Sequence, residues 1–156
     1  MNRIAIVDDN EINLTLLNAL VVKLGDCQPL LFRESLKGLS WCSENLPDLI
    51  VVDFMMPEMD GIRFIQRLRA VAGREEVPIL MITANDDKGV RYEVLQLGAT
   101  DFLTKPVDHI EFSARVRNRP RKPGRSNGRR RICARARAGI SIRNASRCSY
   151  RAGTRF

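Results

Sequence analysis

The stretch Leu49-Ile50-Val51-Val52-Asp53 decides the fold, because four apolar residues in a row close on a carboxylate. Ile4-Ala5-Ile6-Val7 closes in the same way on Asp8 and Asp9, and Ile79-Leu80-Met81-Ile82 closes on Thr83. Further on, Phe102-Leu103-Thr104 runs into Lys105-Pro106. Runs that are apolar on both faces suit the central strands of a parallel sheet with helices on each side. In such a sheet all strand ends share one edge, where open α/β folds place their sites. The pattern therefore gathers three acids, a hydroxyl and an amine on that edge.

Between these runs the text reads as helices. A strand at 3–8 leads to a helix over 11–24, capped by Asn10, ended by Gly25, with Ile12, Leu16, Leu20 and Leu24 as its expected inward stripe. A strand at 28–32 is followed by a helix at 34–45, and strand 49–53 by a loop shaped by Pro57, Asp60 and Gly61. The next helix, 62–72, turns Phe64, Ile65 and Leu68 inward. Strand 78–83 precedes a helix over 87–97, which Asp86 and Asp87 begin and Gly98 stops. Strand 101–104 then leads to a last helix from Asp108 carrying Ile110, Phe112, Ala114 and Val116. Five such β/α repeats in 1–118 make the smallest doubly wound α/β architecture.

Charge divides the 156-residue chain, whose net balance is +8. Residues 1–118 hold all 18 acids and 13 Lys/Arg, a balance of −5, while 119–156 hold 13 basic residues and no acid. No stretch reaches the roughly 20 apolar residues of a membrane span, and the opening residues are too short for a secretory signal. Cys27, Cys42, Cys133 and Cys148 show neither CxxC pairing nor metal-ligand spacing, and read as reduced thiols of a cytoplasmic protein, Cys27 and Cys42 half-buried. Trp41 reads as surface packing and His109, the single histidine, as a solvated residue at a helix start.

Asp8, Asp9 and Asp53 crowd negative charge into a small volume, which raises at least one carboxyl pKa unless a cation relieves it. Mg²⁺ suits one or two carboxylates together with phosphate oxygens. Lys105 adds an ammonium and Thr83 a hydroxyl donor for a phosphate, and a carboxylate such as Asp53 can accept a phosphoryl group. The parts exclude two rivals: no GxxxxGK[ST] loop is present, and Asp8-Asp9-Asn10 lacks the DxDx[TV] spacing of a dehalogenase-type phosphatase.

VDDN, VVDFMMPEMDG, ITA and FLTKP, in this order and spacing over 1–118, resemble the receiver domain of two-component response regulators. The resemblance implies a CheY-like, flavodoxin-like sheet of order 2-1-3-4-5. It also implies that Asp53 accepts a phosphoryl group from a sensor histidine kinase or histidine phosphotransfer protein, without turnover of a separate substrate. Asp8, Asp9, Asp53 and the Met55 backbone carbonyl would hold Mg²⁺, Thr83 and Lys105 would engage the phosphate, and Phe102 would swing inward as Thr83 moves. The Lys105-Pro106 bond would be cis. Met55 and Asn85 sit where such domains tune water access. The segment 73–118 is also similar to receivers fused to HD-GYP-type cyclic-di-GMP phosphodiesterases, although neither an HD nor a GYP motif is present.

From Arg119 onward 12 Arg and one Lys stand among Gly, Ser, Ala, Pro and Cys with no apolar period. Such a segment cannot offset its ordering entropy and reads as a disordered tail that cuts the last helix short at Pro120. Two readings of it stand: a frame-shifted end that replaces an output domain, or a basic arm, densest at Arg129-Arg130-Arg131, that binds nucleic acid by charge alone. The arm offers only Tyr150 and Phe156 for stacking. The alternative function is thus a nucleic-acid-binding regulator whose receiver gates the tail, and a further one a stand-alone receiver acting by protein contact.

Overall fold

The computed structural model describes residues 1–84 and 88–120. The expected disordered tail lies outside these residues from 121 onward, with its two cysteines, as do Asn85, Asp86 and Asp87. Five strands, β1 (Asn2–Val7), β2 (Cys27–Phe32), β3 (Leu49–Asp53), β4 (Ile79–Thr83) and β5 (Asp101–Thr104), alternate with five helices. The helices are α1 (Glu11–Lys23), α2 (Ser35–Glu44), α3 (Gly61–Arg69), α4 (Lys88–Gln96) and α5 (His109–Asn118). All strand pairs are parallel and the order is β2-β1-β3-β4-β5.

The core lies on both faces of the sheet. Alternate strand residues Ala5, Val7, Ile50, Val52, Ile79 and Met81 meet Phe64, Ile65 and Leu68 of α3 on one face. Ile4, Ile6, Val51, Leu80 and Ile82 meet α1 and α5 on the other. Every residue of β3 and β4 is buried, as strands covered on both sides must be. Cys27 and Cys42 are both buried, deeper than the half-burial expected, and desolvation pushes the Cys42 thiol up to about 12.

One helix face departs from the expected one. In α1 the buried residues are Leu14, Leu17, Leu20 and Val21, whereas Ile12 is 78% and Leu16 45% exposed. This helix carries apolar residues around its whole circumference, so several stripes satisfy the spacing and only its seating on β1 selects one. Phe64, Ile65 and Leu68 do point inward from α3, which ends at Arg69 rather than at 72. In α5, Phe112 and Val116 are buried one turn apart while Ile110 is 69% exposed.

Chain ends of the helices are tied locally. Asn10 and Asp108 cap α1 and α5 through side-chain oxygens, Asp60 caps α3, and Gly25 and Gly98 end two helices at positive φ. Two arginines fasten the far ends: Arg74 donates to the carbonyls of Cys42 and Ser43 in α2, and Arg69 to those of Arg74 and Gly98. Trp41 is half-buried, tilted against Phe32 with the Arg3 guanidinium 5.8 Å from its ring.

Candidate functional site

The site forms where β1, β3, β4 and β5 end. Register explains the convergence: Val7 pairs with Val52 and Asp53 with Ile82, so Asp8 and Asp53 leave neighbouring strands at almost the same height. Thr83 pairs with Thr104, which puts Lys105 one residue beyond the edge. The Lys105 backbone N–H donates to the Thr83 carbonyl at 2.8 Å, so the lysine continues the ladder. The Lys105-Pro106 peptide is cis.

Asp8, Asp9 and Asp53 each offer a carboxylate oxygen within 4.8 Å of the others. Asp8 and Asp53 are 1% and 4% exposed, and Thr83 is 2% exposed. Lys105 places its Nζ 2.6 Å from Asp53 Oδ1 and 4.0 Å from Asp8 Oδ2. The other Asp53 oxygen accepts from the Met55 backbone N–H at 3.1 Å. Burial holds the Asp53 carboxyl above the usual carboxylate range, and Asp8 adds to this, while the bonds from Lys105 and Met55 oppose it. One ammonium thus faces two buried acids and a third nearby, a donor set of hard oxygens with excess negative charge. That set fits a small divalent cation.

The β3–α3 turn holds Asp53 from behind. The Gly61 N–H donates to the Phe54 carbonyl, and a Cβ at Gly61 would meet the Asp53 carbonyl oxygen and Met81 Sδ, each at 2.7 Å. No side chain fits there, so the turn shaped by Pro57, Asp60 and Gly61 supports the site directly. Met55 exposes 72% of its surface at the rim, and Phe102 is half-buried beneath the Arg91 guanidinium, 4.9 Å from the ring centre.

Asp8, Asp9, Asp53, Met55, Thr83 and Lys105 therefore stand on this edge of the sheet, while Phe102 lies two residues inside the end of β5. Two contacts were missed from sequence. Asn13 donates through Nδ2 to Asp8 Oδ2 at 3.0 Å, and Arg91 stacks on Phe102. No distinct signal in the sequence marked Asn13, because Glu11, Thr15, Asn18 and Lys23 are polar on the same helix. Arg91 gave none, because α4 is half polar. His109 is exposed at the first position of α5, as expected. Among the described residues no helix is long and apolar enough to cross a membrane.

Comparison with known proteins agrees with this geometry. The receiver domain of a sensor histidine kinase from Pseudomonas aeruginosa, solved with magnesium in its active-site cleft, is 29% identical with a TM-score of 0.69, over 76% of this chain and 96% of that one. The cyclic di-GMP phosphodiesterase response regulator RpfG of Xanthomonas campestris is 36% identical over 116 residues, 74% of this chain and 31% of that protein. Response regulator PleD of Caulobacter vibrioides is 38% identical over 117 residues, and there the match spans 25% of the relative's length. The response regulator receiver domain model matches residues 4–117. The chain belongs to the response regulator receiver family, the phosphoacceptor domains of two-component signalling systems.

Proposed function

We propose that Asp53 is the phosphoryl acceptor of this receiver, with Lys105 and Thr83 as the residues that engage the bound group. The buried Asp53 carboxylate beside Asp8, Asp9 and Lys105 carries this reading. An Asp53 oxygen attacks the phosphorus of a phosphohistidine, the P–N bond breaks with its electron pair left on the imidazole nitrogen, and that nitrogen takes up a proton. The product is an acyl phosphate on Asp53. Asp8, Asp9, Asp53 and the Met55 carbonyl would hold Mg²⁺, which when bound supplies charge neutralisation at the transferring group. Lys105 now donates to Asp53, and its flexible stem lets the same ammonium follow charge onto a phosphoryl oxygen. The Thr83 hydroxyl donates a second bond there. Met55 stands exposed at the rim, and we assign Met55 and Asn85 the regulation of water access.

The donor acts in trans, from a sensor histidine kinase or phosphotransfer protein, since His109 is the single histidine and is exposed at the start of α5. Phosphate on Asp53 draws Thr83 inward, Phe102 follows, and the α4–β5–α5 face changes to an output partner. This chain does not turn over a separate substrate, and it works in the cytoplasm. The similarity to RpfG supports an output in cyclic-di-GMP turnover carried by a further domain. We read the basic residues 119–156 as a frame-shift or truncation product, and nucleic-acid contact through them as charge alone. Sequencing the gene beyond codon 118 and finding no second domain in any frame would remove the output assignment.

Intact mass after treatment with a small-molecule phosphodonor and Mg²⁺ tests the acceptor. One phosphoryl group is expected, absent without metal and absent in Asp53→Asn. Phosphorylation that survives in Asp53→Asn would show that another residue is the acceptor.

A further inference from the structure

Asp8 is buried and its two oxygens are already held by the chain. Oδ1 accepts from the Asn10 backbone N–H at 2.8 Å, and Oδ2 accepts from Asn13 Nδ2 at 3.0 Å. Asn13 is the third residue of α1, and its own N–H donates to the capping oxygen of Asn10 at 3.4 Å. Helical side chains tilt toward the helix N-terminus, so a residue at this position aims back at the end of β1. Asn10 therefore fixes the helix start, and the helix start fixes the amide against Asp8.

The other donor near Asp8 Oδ2 is Lys105, 4.0 Å away and closer to Asp53. The two donors differ in charge. An ammonium drawn onto Asp8 would neutralise it, whereas an amide fixes the carboxylate plane and leaves its full charge to a cation. We propose that Asn13 is a positioning residue of the cation site: its amide orients the Asp8 carboxylate and keeps it from turning to Lys105. The inference rests on the reading of Asp8 as a cation ligand. Partners of metal ligands in other proteins typically alter affinity by about 10–100-fold when removed.

The test is Mg²⁺ binding to the full chain by titration calorimetry, without any phosphodonor. Asn13→Ala and Asn13→Leu are expected to weaken binding about tenfold, although both residues favour a helix more than Asn does. Asn13→Gln, which keeps an amide on a longer stem, should recover part of the loss. Thr15→Ala, an exposed change on the same helix, should bind as the parent does. Thermal melts without metal identify any variant that fails to fold, and Asn13→Gln against the parent then decides alone. Affinity within twofold of the parent in Asn13→Ala or Asn13→Leu would overturn the proposal, as would an Asn13→Gln variant no better than these. A parent chain that binds no Mg²⁺ would instead remove the cation site itself, and the role of Asn13 with it.

Discussion

At the scale of single residues, charge and burial make Asp53 the most consequential group. Its carboxyl is held above the ordinary range chiefly by burial, so the folded chain binds a proton there more tightly than the unfolded chain does. The stability from this group is fully present below the unfolded carboxylate pKa and is lost as pH rises through the folded value. Metal-free Asp53→Asn should therefore gain stability over the parent as pH rises above about 4, read as a difference in urea midpoints that widens with pH. A flat difference would contradict the burial argument. Ser35 gives a simpler case: its hydroxyl is buried at the start of α2 without a hydrogen-bond partner. Ser35→Ala removes an unpaired polar group and is expected to stabilise by about 1 kcal/mol, measured by denaturant unfolding.

At the scale of elements, the site depends on how closely α3 approaches β3. Gly61 permits that approach, because its missing Cβ would strike the Asp53 backbone carbonyl, which cannot move without shifting the acceptor. Gly61→Ala should cost about 1–3 kcal/mol and slow phosphoryl uptake on Asp53 by the phosphodonor assay. Unchanged uptake with lowered stability would separate the turn from the chemistry. The arginine ties of Arg69 and Arg74 anchor the ends of α2, α3 and α4 away from the site.

At the scale of the whole molecule, cover over the sheet is uneven. Helix α5 has 10 residues against 13 in α1 on the same face. Beside its last turn a cavity of about 280 Å³ opens at the strand ends opposite the site, lined by Leu49, Pro78, Ile79, Leu80, Ala114 and Asn118 among others. An α5 continued by one amphipathic turn in place of Arg119 and Pro120 would lay a side chain into that space. Burying one leucine-sized group there is expected to add about 1.5–3 kcal/mol, seen as a higher Tm. No rise would mean that this cavity is not the missing seat of the helix.

The parallel sheet, its five repeats and the converging Asp8, Asp53, Thr83 and Lys105 were legible in the sequence. Apolar runs closing on polar residues encode both the strand and its functional end, and periodicity of 2 and 3.6 is local information. The inward face of α1 was not legible, because apolar residues surround that helix and its seating on β1 selected Leu14, Leu17 and Val21 over Ile12 and Leu16. Nor were the Asn13–Asp8 bond, the Arg91–Phe102 stack or the 2.7 Å approach at Gly61. Each joins groups whose meeting depends on helix rotation and strand register. Spacing along the chain specifies which residues reach the edge, and packing across the sheet decides which of them touch.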